Sequence, residues 1–395
     1  MQRRPGTPSL LRELNDRSAL ELLLAGGPMT RSQLGEHTGL SKVTASQLLA
    51  RLEERGIVAV AGELAGGRGP NAALYAVVPS TAYVAGLHVE QDEVSAGVAD
   101  ITGNVVARIS VDPKDAADPV ALVRGAVLAA CTSAGVPVES LRAFVIGTPG
   151  VLDPRTGDPR LAVNLPAWHE GVLDALRSDL GRPVTLENDV NLAAMAERAV
   201  GAAVGVPDFV LVWIGVGLGL ATILSGRLHR GVGGAAGEIG YLPVPGMPLP
   251  EDLSHPATGA FQRLVGAQAV LPLAQSYGFT EPTAAKAVAA AVSAVEAADR
   301  RGADFLRELA VRVATGVAAI SVVLDPGLVV LGGDVGLAGG TELADRVAAD
   351  VGRLCPAKPT VVPTAVVGWP VLRGAILAAV DQARAELLAS VAEPA

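Results

Sequence analysis

The sequence predicts an α/β protein in two parts: a winged helix-turn-helix head over residues 1–80, and a body over 81–395 folded as two lobes about a cleft. Three observations carry this expectation. Two short helical patterns joined by a glycine turn lie near the start of the chain. A strand-turn-strand-turn-strand pattern occurs twice after residue 82. Each copy is followed by a helix and then a buried strand with glycine at its end. The length of 395 residues admits two or three domains, and 50% of the residues are apolar, enough for sizeable cores.

Residues 9–25 have helical spacing, with Leu10, Leu11, Leu14, Leu20, Leu23 and Leu24 on the apolar side. After the break GGPMT, Thr30 and Gln33 make a capping box for a short helix through His37, and Thr38-Gly39-Leu40 turns the chain. Ser41 is placed to cap a third helix that runs to Arg55 and stops at Gly56. On it Val43, Leu48, Leu49 and Leu52 are expected to face the core, leaving Ser41, Lys42, Thr44, Ser46 and Gln47 outward. On a recognition helix such side chains meet base edges and phosphates in a major groove. IVAVA and ALYAVV then alternate as paired strands around ELAGGRGPN, a wing whose Arg68 would reach a minor groove or a phosphate. A partner-binding helical module with a solvated face shares the same spacing. The order of cap, turn, polar face and wing favours DNA.

From residue 82, YVAGLHVEQDEVSAGVADITGNVVARI reads as three strands, followed by a helix at 118–135 and the buried strand RAFVIGTPGV. FVLVWIGVGLGLATILSGRLHRG repeats the three strands, and a helix near 303–323 leads into the strand LVVLGG. The first lobe is expected over approximately 81–200 together with the C-terminal helix, the second over 201–380. A cleft between such halves is a common place for a small ligand. Residues 209–226 carry no charge over 18 positions, near the length of a membrane span. Gly215, Gly217 and Gly219 divide this run into strand, turn and strand, so no membrane partner is expected.

Charge separates head from body. Residues 1–80 hold nine Lys and Arg against seven Asp and Glu, a net of +2; the rest hold 22 against 33, a net of −11. Any nucleic-acid contact therefore belongs to the head. Cys131 and Cys355 stand apart from each other and from any paired histidine, which argues against a disulfide framework and for a reducing cytoplasm. The opening MQRRPGTPSLLREL lacks the apolar run of a secretory signal.

One stretch, GVGGAAGEIGYLPVPG at 231–246, surrounds Glu238 with glycines, as a solvated turn or a ligand hook would. It belongs to an ordered set: GTPG (147–150), NLPAW (164–168), LENDVN (186–191) with Glu197 after it, GVGLG (215–219), GGAAGEIG (233–240) and LDPGLVVLGG (324–333). Together with the head, this set resembles the ROK family of repressors, open-reading-frame proteins and sugar kinases, in its transcriptional-regulator branch. The resemblance covers almost the whole chain and implies an actin-like, sugar-kinase-type body behind a winged helix. It implies that Asp189 stands where the family's kinases keep the base for a sugar hydroxyl, a task that suits a carboxylate within hydrogen-bond reach. It also implies that Gly150, Asn188, Glu238, Tyr241 and Gln262 line a sugar pocket, where each hydroxyl needs donors and acceptors. Without the resemblance, Asn188-Asp189 reads equally as a cap for the helix that begins near Val190.

Two departures from the family pattern shape the expectation. The kinases carry D-x-G-G-T in the first strand turn; here His88 holds the aspartate position, Glu90 and Gln91 the glycines, and Asp92 the threonine. Bulk blocks the backbone approach and carboxylates repel phosphate, so phosphoryl transfer is not expected and Asp189 is a vestigial base. Tyr241 replaces the family's histidine, and PGMPLPEDLSHPATGAFQ lacks the cysteines that hold a structural zinc with it; His255 alone cannot. No metal or cofactor is expected. Counting back from TGAFQ, Gln262 falls where the family keeps a sugar-binding glutamate. The expectation is a cytoplasmic transcriptional regulator, a repressor rather than an activator, with operator DNA and a sugar-type effector as partners, working as a homodimer or homotetramer. The alternatives are an ATP-dependent sugar kinase with an extra domain and a ligand-independent DNA-binding or scaffold module.

Overall fold

Turn chemistry closes each helix of the head. In the computed structural model, which describes residues 8–65, 71–90, 92–113, 118–161, 172–250, 252 and 256–391, the head comprises α1 (Pro8–Gly26), β1 (Met29–Thr30), α2 (Arg31–Thr38), α3 (Lys42–Glu54), β2 (Val58–Leu64) and β3 (Ala72–Val77). The capping box forms: Gln33 N–H donates to Thr30 Oγ1 at 3.2 Å, and Thr30 N–H donates to Gln33 Oε1 at 2.8 Å. Gly39, at φ 70°, ends α2, and Ser41 caps α3 by accepting from Thr44 N–H at 3.2 Å. Leu20, Leu23, Leu34, Leu48, Leu49 and Leu52 form the core of this unit.

The head departs from expectation in three places. Val43 is exposed (67%) and Ala45 is buried instead, because the core face of α3 runs 45, 48, 49, 52, and Val43 sits two residues off that stripe. Leu11 and Leu14 stay exposed, and among residues 11–26 of α1 the first buried is Asp16; the side chain of Leu10 lies outside the described residues. The two-residue β1 joins the wing in the order β1-β3-β2; it is too short to show any periodicity.

The body contains two sheets of the same design. The first half runs β4 (Tyr83–Val89), β5 (Val94–Asp100), β6 (Val105–Val111), α4 (Pro119–Ala134), β7 (Leu141–Thr148), the small pair β8 (Val151–Leu152) and β9 (Pro159–Leu161), α5 (Val172–Leu180), β10 (Val184–Asn188) and α6 (Asp189–Val200). The second runs β11 (Phe209–Ile214), β12 (Leu218–Leu224), β13 (Arg227–Leu228), α7 (Gln262–Val265), α8 (Ala267–Ser276), α9 (Ala284–Glu296), α10 (Arg300–Leu324), β14 (Leu328–Gly332), α11 (Gly333–Leu354), β15 (Thr360–Pro363) and α12 (Pro370–Val391). Their strand orders, β10-β7-β4-β5-β6 and β15-β14-β11-β12-β13, are equivalent: an antiparallel meander extended by two parallel strands. This is the duplicated, mixed-sheet α/β architecture that the two sequence patterns predict.

Central strands of the first sheet are buried on both faces. Ala85, Leu87, Phe144 and Ile146 pack with α4 and α5, while Val84, Ala143 and Val145 face α12. Helix α12 also crosses α6 closely enough that a Cβ on Gly374 would collide with the Leu192 carbonyl. The other end of α12 carries the head: its Val380, Ala383 and Val391 share one apolar core with Leu20, Leu52 and Ile57, and Arg55 Nη2 donates to the Ser390 carbonyl at 3.1 Å. The head and the first lobe thus share a continuous core. Among the described residues, no helix is long and apolar enough to cross a membrane.

Candidate nucleic-acid interface and ligand cleft

The outward face of α3 divides into a self-bonded part and an open part. Ser41 Oγ lies 2.9 Å from Thr44 Oγ1, so both hydroxyls serve the cap. Ser46 donates to the Lys42 carbonyl at 2.9 Å and accepts from Arg31 Nη1 at 3.0 Å. Lys42, Val43 and Gln47 project into solvent. An exposed valine suits a thymine methyl, and lysine suits a phosphate. Arg31, at the first position of α2, adds a cation that the sequence reading did not single out; its place directly after the Thr30 cap was the available signal. An ion pair between Asp16 and Arg51 (Nε to Oδ2, 3.0 Å) fixes the inner side of α3 on α1, with Asp16 buried. Arg68 lies outside the described residues.

The cleft is built where β7, β10 and α6 meet the loop after β13. Strand β10 ends at Asn188, whose Oδ1 caps α6 by accepting from Asn191 N–H at 3.1 Å, and whose Nδ2 donates to the Gly150 carbonyl at 3.1 Å. The capping role is therefore realised, and it ties the GTPG turn to the start of α6. Asp189, first in α6, accepts from Val190 N–H at 2.8 Å. Burial pushes its carboxyl up to about 6.

Beneath these residues lies Glu187, quoted in the motif but given no role. It is buried, and accepts from Asn188 N–H at 3.0 Å, Asn191 Nδ2 at 2.9 Å and Arg230 Nε at 2.7 Å. Arg230 follows β13, so this pair clamps the second half of the body onto the first. The other acid of the segment, Glu197, is buried and accepts from the backbone N–H groups of Ala202, at 2.7 Å, and Val366, at 3.1 Å. It holds the loop after β15 and does not line the cleft.

On the second lobe Gly237 places Glu238. Its φ of 106° is accessible to glycine, and a Cβ there would strike the Leu220 carbonyl, so β12 and the AGEIG turn lie in backbone contact. Burial, reinforced by the Asp189 charge, pushes Glu238 up to about 7. Tyr241 ends the short helical turn after Glu238; its hydroxyl is pushed up by burial and by Glu238 and Asp252. Gln262 is placed differently from expectation. Its Oε1 accepts from Leu218 N–H and its Nε2 donates to the Val216 carbonyl, both at 2.8 Å, so a buried amide finds its partners in the GVGLG turn and clasps that turn. The segments NLPAW and His255 lie outside the described residues.

The turn that departs from the family's phosphate pattern joins β4 to β5. Glu90 N–H closes the β4–β5 turn on the Glu93 carbonyl at 2.9 Å. Partial burial, then the charges of Asp189, Asp334, Glu93 and Asp92, push Glu90 up to about 7, an effect that solvent weakens because 55% of its side chain is exposed. Asp334 stands in the first turn of α11, where the second half places its own glycine turn. Glu90 thus feels the charges of Asp189 and Asp334, and Glu238 feels that of Asp189.

These features agree with the comparisons. The profile of the ROK family matches residues 84–367, and that of the MarR family matches 14–69. The xylose repressor of Caldicellulosiruptor bescii is 26% identical over 241 residues, 60% of this chain and 60% of that protein. A glucokinase of Streptomyces coelicolor is 26% identical over 263 residues, 63% of this chain and 80% of that one. The chain thus spans less than two thirds of the length of the xylose repressor it matches. Among solved structures, the ROK hexokinase of Thermus thermophilus aligns with a TM-score of 0.62 at 28% identity, covering 77% of this chain and 99% of that one. A ROK family transcriptional regulator, described as a homologue of the E. coli MLC protein, aligns with a TM-score of 0.71 over 97% of this chain and 99% of that one. At 16% identity the likeness bears on fold alone, and it includes the head. With its family match spanning both lobes and a winged helix in front, this chain belongs to the ROK family.

Proposed function

We infer that this protein is a sequence-specific DNA-binding regulator, a repressor of sugar or carbon metabolism, whose cleft senses a sugar or related metabolite. The carrying observation is the continuous core from α3 through α12 to α6. The helix that begins at Asp189 is packed on the helix that holds the head, so a ligand at Asp189 can bias where the head sits. In the cytoplasm, a symmetric homodimer or homotetramer would present paired heads to an operator, and half-site spacing makes affinity sensitive to small rotations.

A kinase activity is disfavoured by the site's charge. Glu90 occupies the turn where phosphates would be cradled, and Glu90, Asp189 and Asp334 would oppose them. The sugar-facing groups in this reading are Asn188, Asp189, Glu238 and Tyr241, with Gly150 and Gln262 shaping the walls. The relatives named xylose repressor support the regulator reading, and those named glucokinase support a sugar as ligand.

The test is selection of bound sequences from a random duplex pool with the full chain, followed by anisotropy titration on the enriched site. Enrichment of a two-fold-symmetric site that sugars release supports the reading. Absence of enrichment, or ATP-dependent sugar turnover that Asp189→Asn abolishes, overturns it.

A further inference from the structure

We propose that Arg230 is a positioning residue for the effector: with Gly234 it latches the loop that leads to Glu238 onto the first lobe, and so sets the width of the cleft before a ligand arrives. The inference rests on the reading of the cleft as a sugar-effector site and deepens it by naming what holds the two sides of that site in register.

The first observation is that this loop is fixed at both ends to its own lobe. It leaves β13 with His229 N–H donating to the Thr222 carbonyl of β12 at 2.9 Å. It returns to β12 at Gly237, whose carbonyl accepts from Leu220 N–H at 2.9 Å. Between these anchors, Ala236 N–H closes the loop on the Arg230 carbonyl at 3.3 Å. Glu238 follows directly, so whatever holds Arg230 and Gly234 also places Glu238.

The second observation is that the loop meets the first lobe at two points, and those points are themselves joined. Nε and Nη2 of Arg230 lie 2.7 and 2.6 Å from Glu187 Oε2. The other oxygen, Oε1, accepts from Asn188 N–H and Asn191 Nδ2, so one carboxylate ties the start of α6 to the second lobe. The Glu187 side chain is only 10% exposed, and losing Arg230 would leave a buried charge uncompensated. Gly234, at φ 79°, makes the other contact: a Cβ there would strike the Leu152 carbonyl of β8 and crowd Pro154. Within the first lobe, Asn188 Nδ2 donates to the Gly150 carbonyl and links the two anchor points. The contacts thus close on themselves, from Glu187 through Asn188, Gly150 and Leu152 to Gly234 and back to Arg230. Asn188 and Asp189 belong to one side of this latch, Glu238 and Tyr241 to the other. A sugar that bonds to both sides needs them at one spacing, and a site assembled in advance binds more tightly than one the ligand must order.

Calorimetric titration of the full chain tests this with glucose, xylose, mannose, N-acetylglucosamine and glucose 6-phosphate as probes. For the sugar that binds the parent, Arg230→Met should weaken affinity at least about tenfold. Arg230→Lys keeps the charge but not the fork, and should recover part of that loss. In a Glu187→Gln background the loss from Arg230→Met should shrink, because the two residues act as a unit. Gly234→Val should reproduce the loss with every charge in place. Melting curves check that each variant is folded; a residue that only stabilised the fold would lower the melting temperature and leave the affinity unchanged. If either Arg230→Met or Gly234→Val binds the sugar as tightly as the parent, or the Arg230→Met loss is the same in both backgrounds, the inference falls and the sugar-effector reading stands. If no probe binds the parent, both fall.

Discussion

Glu238 is held as a weak acid near 7 by burial and the Asp189 charge, and Asp189 near 6 by burial; Glu90 is raised in the same direction, although 55% of its side chain is exposed and solvent weakens the effect. An unfolded glutamate stays ionised until about pH 4.3. From about pH 8 down to about 6.5, the folded chain therefore binds protons that the unfolded chain does not, and stability rises as pH falls. Below that window His88 opposes the trend, because its lowered pKa leaves it neutral while the unfolded histidine charges. The melting temperature should climb as pH falls from about 8 to about 5, His88 offsetting only part of the gain because one histidine opposes several raised carboxyls, and Glu238→Gln should remove a substantial part of the climb. A melting temperature that stays flat or drops as pH falls across that window would refute the raised carboxyl pKa values. At this scale the sequence motifs singled out Asn188, Asp189 and Glu238. They could not reveal Glu187–Arg230 or the clasp made by Gln262, because those pairings join residues 43 and 44 or 46 positions apart and depend on how the lobes close.

At the scale of elements, α12 connects the parts. It covers one face of β4, β5 and β7, crosses α6 at Gly374, and ends against the head. A side chain at 374 must push α6 and α12 apart, and overpacking of this kind typically costs about 1–3 kcal/mol. Gly374→Val should therefore lower the melting temperature by several degrees and loosen the coupling between sugar and DNA. Gly352→Ala is the control, since a Cβ there has open space in α11 and should be neutral or stabilising by up to about 1 kcal/mol. Equal melting of Gly374→Val and the parent would show that the helices are not in backbone contact. The strands, the long helices and their caps were legible because period, cap residues and glycine turns are local signals. The inward side of α3 was misread at Val43 because an isolated valine carries no information about phase; the stripe of Ala45, Leu48, Leu49 and Leu52 does.

For the whole molecule, the outward face of α3 and the start of α2 present, among the described residues, Lys42, Val43, Gln47 and Arg31, on a body whose net charge is −11 over residues 81–395. Lys42 is a phosphate-type contact on this face, and Lys42→Ala should weaken DNA binding nearly uniformly across sequences while reducing the salt slope by about 1. Unchanged affinity and slope would move the interface off α3. The coupling itself has a stricter signature. If effector binding weakens the operator complex by some factor, operator DNA must weaken effector binding by the same factor, because both report one linkage free energy. Arg55 lies on neither surface, yet it bonds the head to the end of α12 at Ser390. Arg55→Ala should therefore shrink that reciprocal factor, measured by titrating effector with and without DNA, while the affinity for effector alone stays as in the parent. Were the factor to survive intact, the signal would have to travel by a route other than α12.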